Sequence, residues 1–137
     1  MIKALDHVAI VVRDIDLSLP YFVEKLKLPL LHDETVPGAN VRLAYLSLGN
    51  AMLQLVQPMG DSPAAAFLEE HGEGLHHICL ATDDIPSLIG TLPGEQDVRV
   101  ERGGRNRRTC FLRQVPNGLR IELTEIEEIF AKDPTAR

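Results

Sequence analysis

A ten-residue stretch near the start of this chain, Asp6-His7-Val8-Ala9-Ile10-Val11-Val12-Arg13-Asp14-Ile15, returns as His76-His77-Ile78-Cys79-Leu80-Ala81-Thr82-Asp83-Asp84-Ile85, with a histidine at the same place in each copy. A second pair keeps nearly the same register. Met52-Leu53-Gln54-Leu55-Val56-Gln57 reappears as Arg120-Ile121-Glu122-Leu123-Thr124-Glu125, so His7 maps to His77 at an offset of 70 and Gln54 to Glu122 at an offset of 68. A chain built of two like modules places equivalent residues about a pseudo-twofold axis. His7, Gln54, His77 and Glu122 are therefore expected to converge on one point.

The local pattern supports two copies of the same order of elements. Residues 5–12 read as a strand apolar on both faces, followed by a helix capped by Asp14 or Asp16 and running to about Leu26. Pro20 fits only the first turn of a helix, so that helix is expected to start late or bend. Strands follow at 29–36, 41–48 and 51–57, the last two joined by the turn pair Gly49-Asn50. Ser62-Pro63 opens a linker helix that Gly72 ends. The second half repeats the order, with a strand at 75–82, a helix from Asp84 to about Leu92, and strands near 97–102, 107–113 and 118–125. The expected class is α+β, one domain with module 1 at about 5–57, a linker at 58–74, module 2 at about 75–125 and a charged tail at 126–137.

At 137 residues such a chain buries roughly two-thirds of its unfolded surface without help from metal or disulfides, so any metal serves function. The content of 45% hydrophobic and 25% charged residues excludes a disordered or fibrous class. No apolar run approaches the ~20 residues of a membrane span, and the first five residues lack a secretory apolar region. The expected location is the cytoplasm, with no membrane partner. A net charge of −6 argues against nucleic acid as a partner. Cys79 and Cys110 sit in apolar strand patterns and are expected to be buried, reduced thiols.

If both modules share one strand register, a histidine from each first strand and Gln54 and Glu122 from the last strands offer two nitrogens and two oxygens, a set suited to a six-coordinate divalent ion with two open positions. A lone strand histidine is more often structural. Four metal-compatible residues at matched repeat positions reverse that preference. Glu122 adds weight, because it interrupts the apolar string Leu119, Ile121, Leu123, where an unpaired carboxylate is costly to bury. His76 is assigned to the face opposite His77 with a hydrogen-bonding role. His32 and His71 are expected at a strand end and a helix end, solvated or capping. The stretch Arg102-Gly103-Gly104-Arg105-Asn106-Arg107-Arg108 reads either as a loop at a cleft mouth, with Arg105, Arg107 and Arg108 holding a phosphate or carboxylate, or as a solvated hairpin turn.

These residues resemble the vicinal oxygen chelate superfamily (glyoxalase, bleomycin resistance protein and dioxygenase), and within it the methylmalonyl-CoA epimerases. The likeness runs from Leu5 to about Thr124. It is strongest at Asp6-His7-Val8-Ala9, at Gln57-Pro58 with Asp61-Ser62-Pro63, at Gly72-Glu73-Gly74-Leu75-His76-His77-Ile78, at Asp83-Asp84-Ile85 and at Ile121-Glu122-Leu123. The resemblance implies paired βαβββ modules forming a half-open barrel around one divalent ion (Co, Mn, Ni, Zn or Fe), usually in a homodimer. It implies His7, Gln54, His77 and Glu122 as ligands. The implied reaction removes the α-proton of an acyl-CoA thioester and returns a proton to the opposite face of the enolate, with CoA phosphates meeting Arg105, Arg107 and Arg108.

Two departures stand out. Some epimerases carry a second glutamate in the third strand as a proton carrier, where this chain has Leu43. The His-Pro-Lys run before the last strand is replaced by Arg113-Gln114-Val115-Pro116-Asn117-Gly118. Glu122, a water or the substrate itself then has to act as the second acid. Three other functions fit the same scaffold: a glyoxalase I type lactoylglutathione lyase, an extradiol dioxygenase using His7, His77 and Glu122 on iron, and a small-molecule binding or resistance protein without turnover.

Overall fold

The computed structural model describes residues 1–126, so most of the charged tail lies outside the described residues. Two compact units divide the chain. One is His7–His77, and the other joins Met1–Asp6 to the residues from Ile78 onward. The boundaries fall inside the strands β1 (Ile2–Val11) and β5 (Gly74–Thr82), so each unit holds part of both.

The His7–His77 unit continues from β1 through α1 (Ile15–Leu19), β2 (Leu30–Val36), β3 (Val41–Ser47), β4 (Met52–Pro58) and α2 (Pro63–His71). Its strands lie in the order β2-β3-β4-β1, with β4 parallel to β1 and the other pairs antiparallel. The Asp14 side chain caps α1 by accepting from the Leu17 amide. Pro20 has no amide hydrogen to continue an α-helical ladder. From there the chain widens into a π-helical segment, Pro20–Lys25, in which the Leu26 amide reaches back to the Tyr21 carbonyl. The bend expected at Pro20 is thus a change of helix type.

Both faces of this unit's sheet are covered, which is why β1 reads as a continuous apolar run. Ala44, Leu46 and Leu55 on one face pack with Ile15, Leu19, Phe22 and Val23 of α1 and the π segment. Ala9, Val11, Leu43, Tyr45 and Val56 on the other pack with Ala64, Phe67 and Leu68 of α2. Each fully buried Leu or Ile contributes roughly 1.5–3 kcal/mol. Ser62 caps α2 by accepting from the Ala65 amide, and Gly72, at φ +78°, ends it in a conformation that side chains rarely adopt.

The second unit runs from β5 through α3 (Ile85–Gly90), β6 (Glu101–Arg102), β7 (Arg108–Phe111) and β8 (Ile121–Glu125). Its strand order, β5-β8-β7-β6, again has the last strand of the module parallel to the first. Two equivalences tie the copies together. Ala9 pairs with Gln54 in the first, and Cys79 pairs with Glu122 in the second. The Gln57 side-chain oxygen Oε1 accepts from the Ile15 amide at 2.7 Å, and the Glu125 carboxylate accepts from the Ile85 amide at 2.8 Å. The tandem βαβββ organisation and α+β class expected from the repeat are present.

Two expectations for this module are corrected. The α3 helix ends at Gly90, because the amides of Thr91 and Leu92 turn back to Leu88 and Ile89. The strand expected at 97–102 is reduced to Glu101–Arg102. The buried carboxylate of Glu95 takes the backbone amides of Arg113 and Gln114, so a side chain stands where a partner strand would have paired.

Candidate metal centre

Alternation along β1 sends His7, Ala9 and Val11 to the α2 face of their unit. Since Ala9 and Gln54 are opposed in the β1–β4 ladder, Gln54 shares that face, and the pairing settles an orientation that neighbouring residues alone did not. His7 is 2% and Gln54 4% exposed. His77, the last residue of this unit, places its Nε2 3.3 Å from Nε2 of His7. Three of the four expected ligands therefore lie in one unit, two of them with their ring nitrogens already together.

Gln54 Nε2 donates to the Tyr45 hydroxyl at 2.9 Å, while Gln54 Oε1 is buried and accepts no hydrogen bond. A buried, unpaired carbonyl oxygen costs about 1–3 kcal/mol unless something satisfies it. A cation would do so. Two imidazole nitrogens that share one ion at ~2.1 Å each lie about 3.0–3.4 Å apart, which matches the His7–His77 separation. The donor set of two imidazoles and an amide oxygen suits a borderline divalent ion. His7, Gln54 and His77 thus fit a metal.

The surroundings hold these donors in place. The Tyr45 ring meets the His7 ring edge-on at 5.8 Å. His76 Nδ1 lies 2.7 Å from Nδ1 of His77, and its ring stands edge-on to Phe67 of α2 at 4.8 Å. The sequence places His76 on the opposite face from His77. Its ring instead turns to the helix covering the His7 face and engages the second nitrogen of His77. His71 also stacks near Phe67, at 4.8 Å.

Glu122 belongs to the second unit, half-buried on β8 and opposed to Cys79 and Phe111 in its two ladders. Burial first, and then the Glu122 carboxylate, raise the Cys79 thiol far above its ordinary range. The same two causes, in that order, push Cys110 up to about 11. Both thiols stay protonated and unreactive at neutral pH, as expected of small buried apolar groups.

The arginine-rich loop is built into the second unit. Arg105 adopts φ +58°, a backbone region uncommon for side-chain-bearing residues, and its Nη2 reaches Asp6 Oδ2 at 2.5 Å. Arg107 Nη1 lies 3.6 Å from the other Asp6 oxygen. Both guanidinium groups are largely buried. Arg108 forks onto the Glu125 carboxylate, at 2.8 Å from Nε and 2.7 Å from Nη2, and remains partly exposed. The loop joins β6 to β7, with Arg105 and Arg107 engaged by Asp6 and Arg108 by Glu125.

Three residues of the same sheet face were given no site role by the sequence. Tyr45 sits on β3 opposite Gln54, and His32 and Glu34 sit on β2 opposite Tyr45 and Leu43. The signal was the two-residue period shared by β2 and β3, which shows itself only once the register is known.

The sequence pattern of the glyoxalase/bleomycin resistance protein/dioxygenase superfamily matches residues 6–111, and this chain belongs to that superfamily. Among its relatives, an ethylmalonyl-CoA/methylmalonyl-CoA epimerase of Cereibacter sphaeroides is 34% identical over 92% of this chain and 100% of its own. The crystal structure of methylmalonyl-CoA epimerase from Mycobacterium tuberculosis is 30% identical, with a TM-score of 0.83 over 96% of this chain and 93% of that one. A methylmalonyl-CoA epimerase in complex with methylmalonyl-CoA and ammonium superposes with a TM-score of 0.83 at 27% identity, covering 94% of this chain and 98% of that one. The chain spans about half the length of the human mitochondrial methylmalonyl-CoA epimerase, 49% of it, at 33% identity. No helix among the described residues is long and apolar enough to cross a membrane.

Proposed function

We infer that this protein is a metal-dependent epimerase of a 2-methylmalonyl-type acyl-CoA thioester. The observation that carries this reading is the buried, unpaired Gln54 Oε1 on the same face as the His7–His77 nitrogen pair, in a chain whose relatives include epimerases. His7, Gln54 and His77 would hold a divalent ion (Co, Mn, Ni, Zn or Fe), with Glu122 as the fourth ligand by its place in the repeat. The ion supplies Lewis acidity, which lowers the barrier to removing a proton α to a carbonyl.

The chain's own residues do the rest. Tyr45 accepts from Gln54 Nε2 and so fixes which end of the amide presents its oxygen. His76 engages Nδ1 of His77 and leaves Nε2 to the site. The sheet face and α2 keep water from the reacting carbon. Glu122 carries the proton on one face of the substrate. Arg108, the most exposed of the three loop arginines, meets a CoA phosphate, whereas Arg105 and Arg107 shape the loop through Asp6. The working form is a cytoplasmic homodimer.

Mass-spectrometric deuterium incorporation into methylmalonyl-CoA in D₂O tests this function, with metal-stripped protein, Co²⁺-loaded protein and His77→Ala. Metal-dependent exchange that His77→Ala abolishes is expected. A protein that binds Co²⁺ and exchanges nothing above background overturns the epimerase reading.

A further inference from the structure

Inverting a carbon centre through a planar enolate needs a proton carrier on each face. Glu122 provides one under the reading above, on which this inference rests. Position 43 cannot provide the other, since Leu43 is 6% exposed and packs in the apolar cluster with Ala9 and Tyr45. The residue directly opposite Leu43 in the β2–β3 ladder is Glu34. Directly opposed residues of adjacent strands share a sheet face, so Glu34 lies on the face of His7 and Gln54, one strand spacing of about 4.8 Å beyond Leu43.

Glu34 does not stand alone. His32 Nε2 is bonded to Glu34 Oε2, and the His32 ring lies 5.9 Å from the ring of Tyr45, its cross-strand partner. Tyr45 in turn touches His7 and Gln54. The pair is thus linked through Tyr45 to His7 and Gln54 by side-chain contact. Exposure is graded along it, with the Glu34 side chain 20% and the His32 side chain 44% exposed. The carboxylate end is the more sheltered and the imidazole end opens to solvent.

We propose that Glu34, paired with His32, is the second proton carrier of this enzyme and replaces an acid on the third strand. In one direction the Cα–H bond breaks, its electron pair passes into the thioester carbonyl, and the proton moves to the Glu34 carboxylate. The carrier on the opposite face then gives its proton to Cα, and the enolate electron pair forms the new C–H bond. Glu34 then returns its proton to water through His32 and the opposite carrier takes up a proton from water, so both are restored for the next turnover. In the other direction the two carriers exchange roles, and no redox change occurs.

The test uses Co²⁺-loaded protein and each epimer of methylmalonyl-CoA separately, in D₂O, with epimerisation and α-deuterium followed together. Glu34→Gln is expected to lower epimerisation by about 100-fold or more while deuterium still enters one epimer near the wild-type rate. His32→Asn is expected to show the same selective loss to a smaller degree, and Leu43→Glu in the Glu34→Gln background to restore part of the epimerisation. Epimerisation by Glu34→Gln within about threefold of wild type overturns the proposal. So does an equal loss of exchange from both epimers in a variant with normal Co²⁺ content and far-ultraviolet circular dichroism, which marks a structural role. Should Glu34→Gln fail to fold, Glu34→Asp, which retracts the carboxylate by one methylene, carries the same expectations. Wild-type protein that neither exchanges nor epimerises sinks the epimerase reading itself, a result separate from failure of the Glu34 assignment alone.

Discussion

The two ends of the Gln54 amide differ, with nitrogen held by Tyr45 and oxygen buried and unpaired. Tyr45→Phe removes the acceptor and leaves a buried amide donor unpaired, at about 1–3 kcal/mol in stability. It also frees the amide to rotate, so Co²⁺ affinity measured by calorimetry should fall about tenfold or more. An unchanged affinity would show that Tyr45 does not orient the ligand. At the surface, the Arg42 guanidinium bonds to Asp33 and Asp16 and holds the Asp33 carboxyl below its usual range. A carboxyl lowered by folding adds stability that is complete above its unfolded value and lost as pH falls through the folded one. The contribution of Asp33 should therefore disappear below the model-peptide value of 3.8. Thermal melts of Arg42→Met should show a flatter acid limb below about pH 4 than those of wild type.

At the scale of elements, the two modules use one device with different chemistry. The last strand of each reaches over to hold the first amide of its module's helix, through the neutral Gln57 in one copy and the charged Glu125, itself held by Arg108, in the other. Gln57→Leu and Glu125→Leu should each destabilise by about 1–3 kcal/mol in urea titrations, with the effect of Glu125→Leu the larger because it also strands Arg108. The cap, proline and glycine of α2 were legible because each acts within a few residues. The strands β1, β3, β4 and β5 were legible from apolar runs. The short β6 was not, because Asp97 to Val100 alternates like a strand while the local backbone turns, with the Val98 amide on the Glu95 carbonyl. Matched repeat positions named His7, Gln54 and His77, and the structure brings the two histidines together. Tyr45 and Glu34 stayed hidden because their relevance depends on which residues oppose them across two ladders.

For the molecule as a whole, the apolar clusters contain none of the four proposed metal ligands, and Ile15, Leu46, Leu55, Ile85 and Leu123 are fully buried within them. Metal-stripped protein should keep its far-ultraviolet circular dichroism. Excess Co²⁺, at about 100 times its dissociation constant, should add about 2.7 kcal/mol to the unfolding free energy. A melt that collapses to an unfolded baseline on chelation would make the ion structural instead.

His7 and His77 are the first and last residues of one compact unit, 70 positions apart in sequence, with their nitrogens 3.3 Å apart. An ion gripped by both closes that stretch into a ring. In chain-entropy terms such a tie contributes about 4 kcal/mol over the same ion held at one end, much as a disulfide would, but it can be undone by a chelator. Pulled from its two ends in a force experiment, this unit would load the coordination bonds first and the sheet only after they gave way.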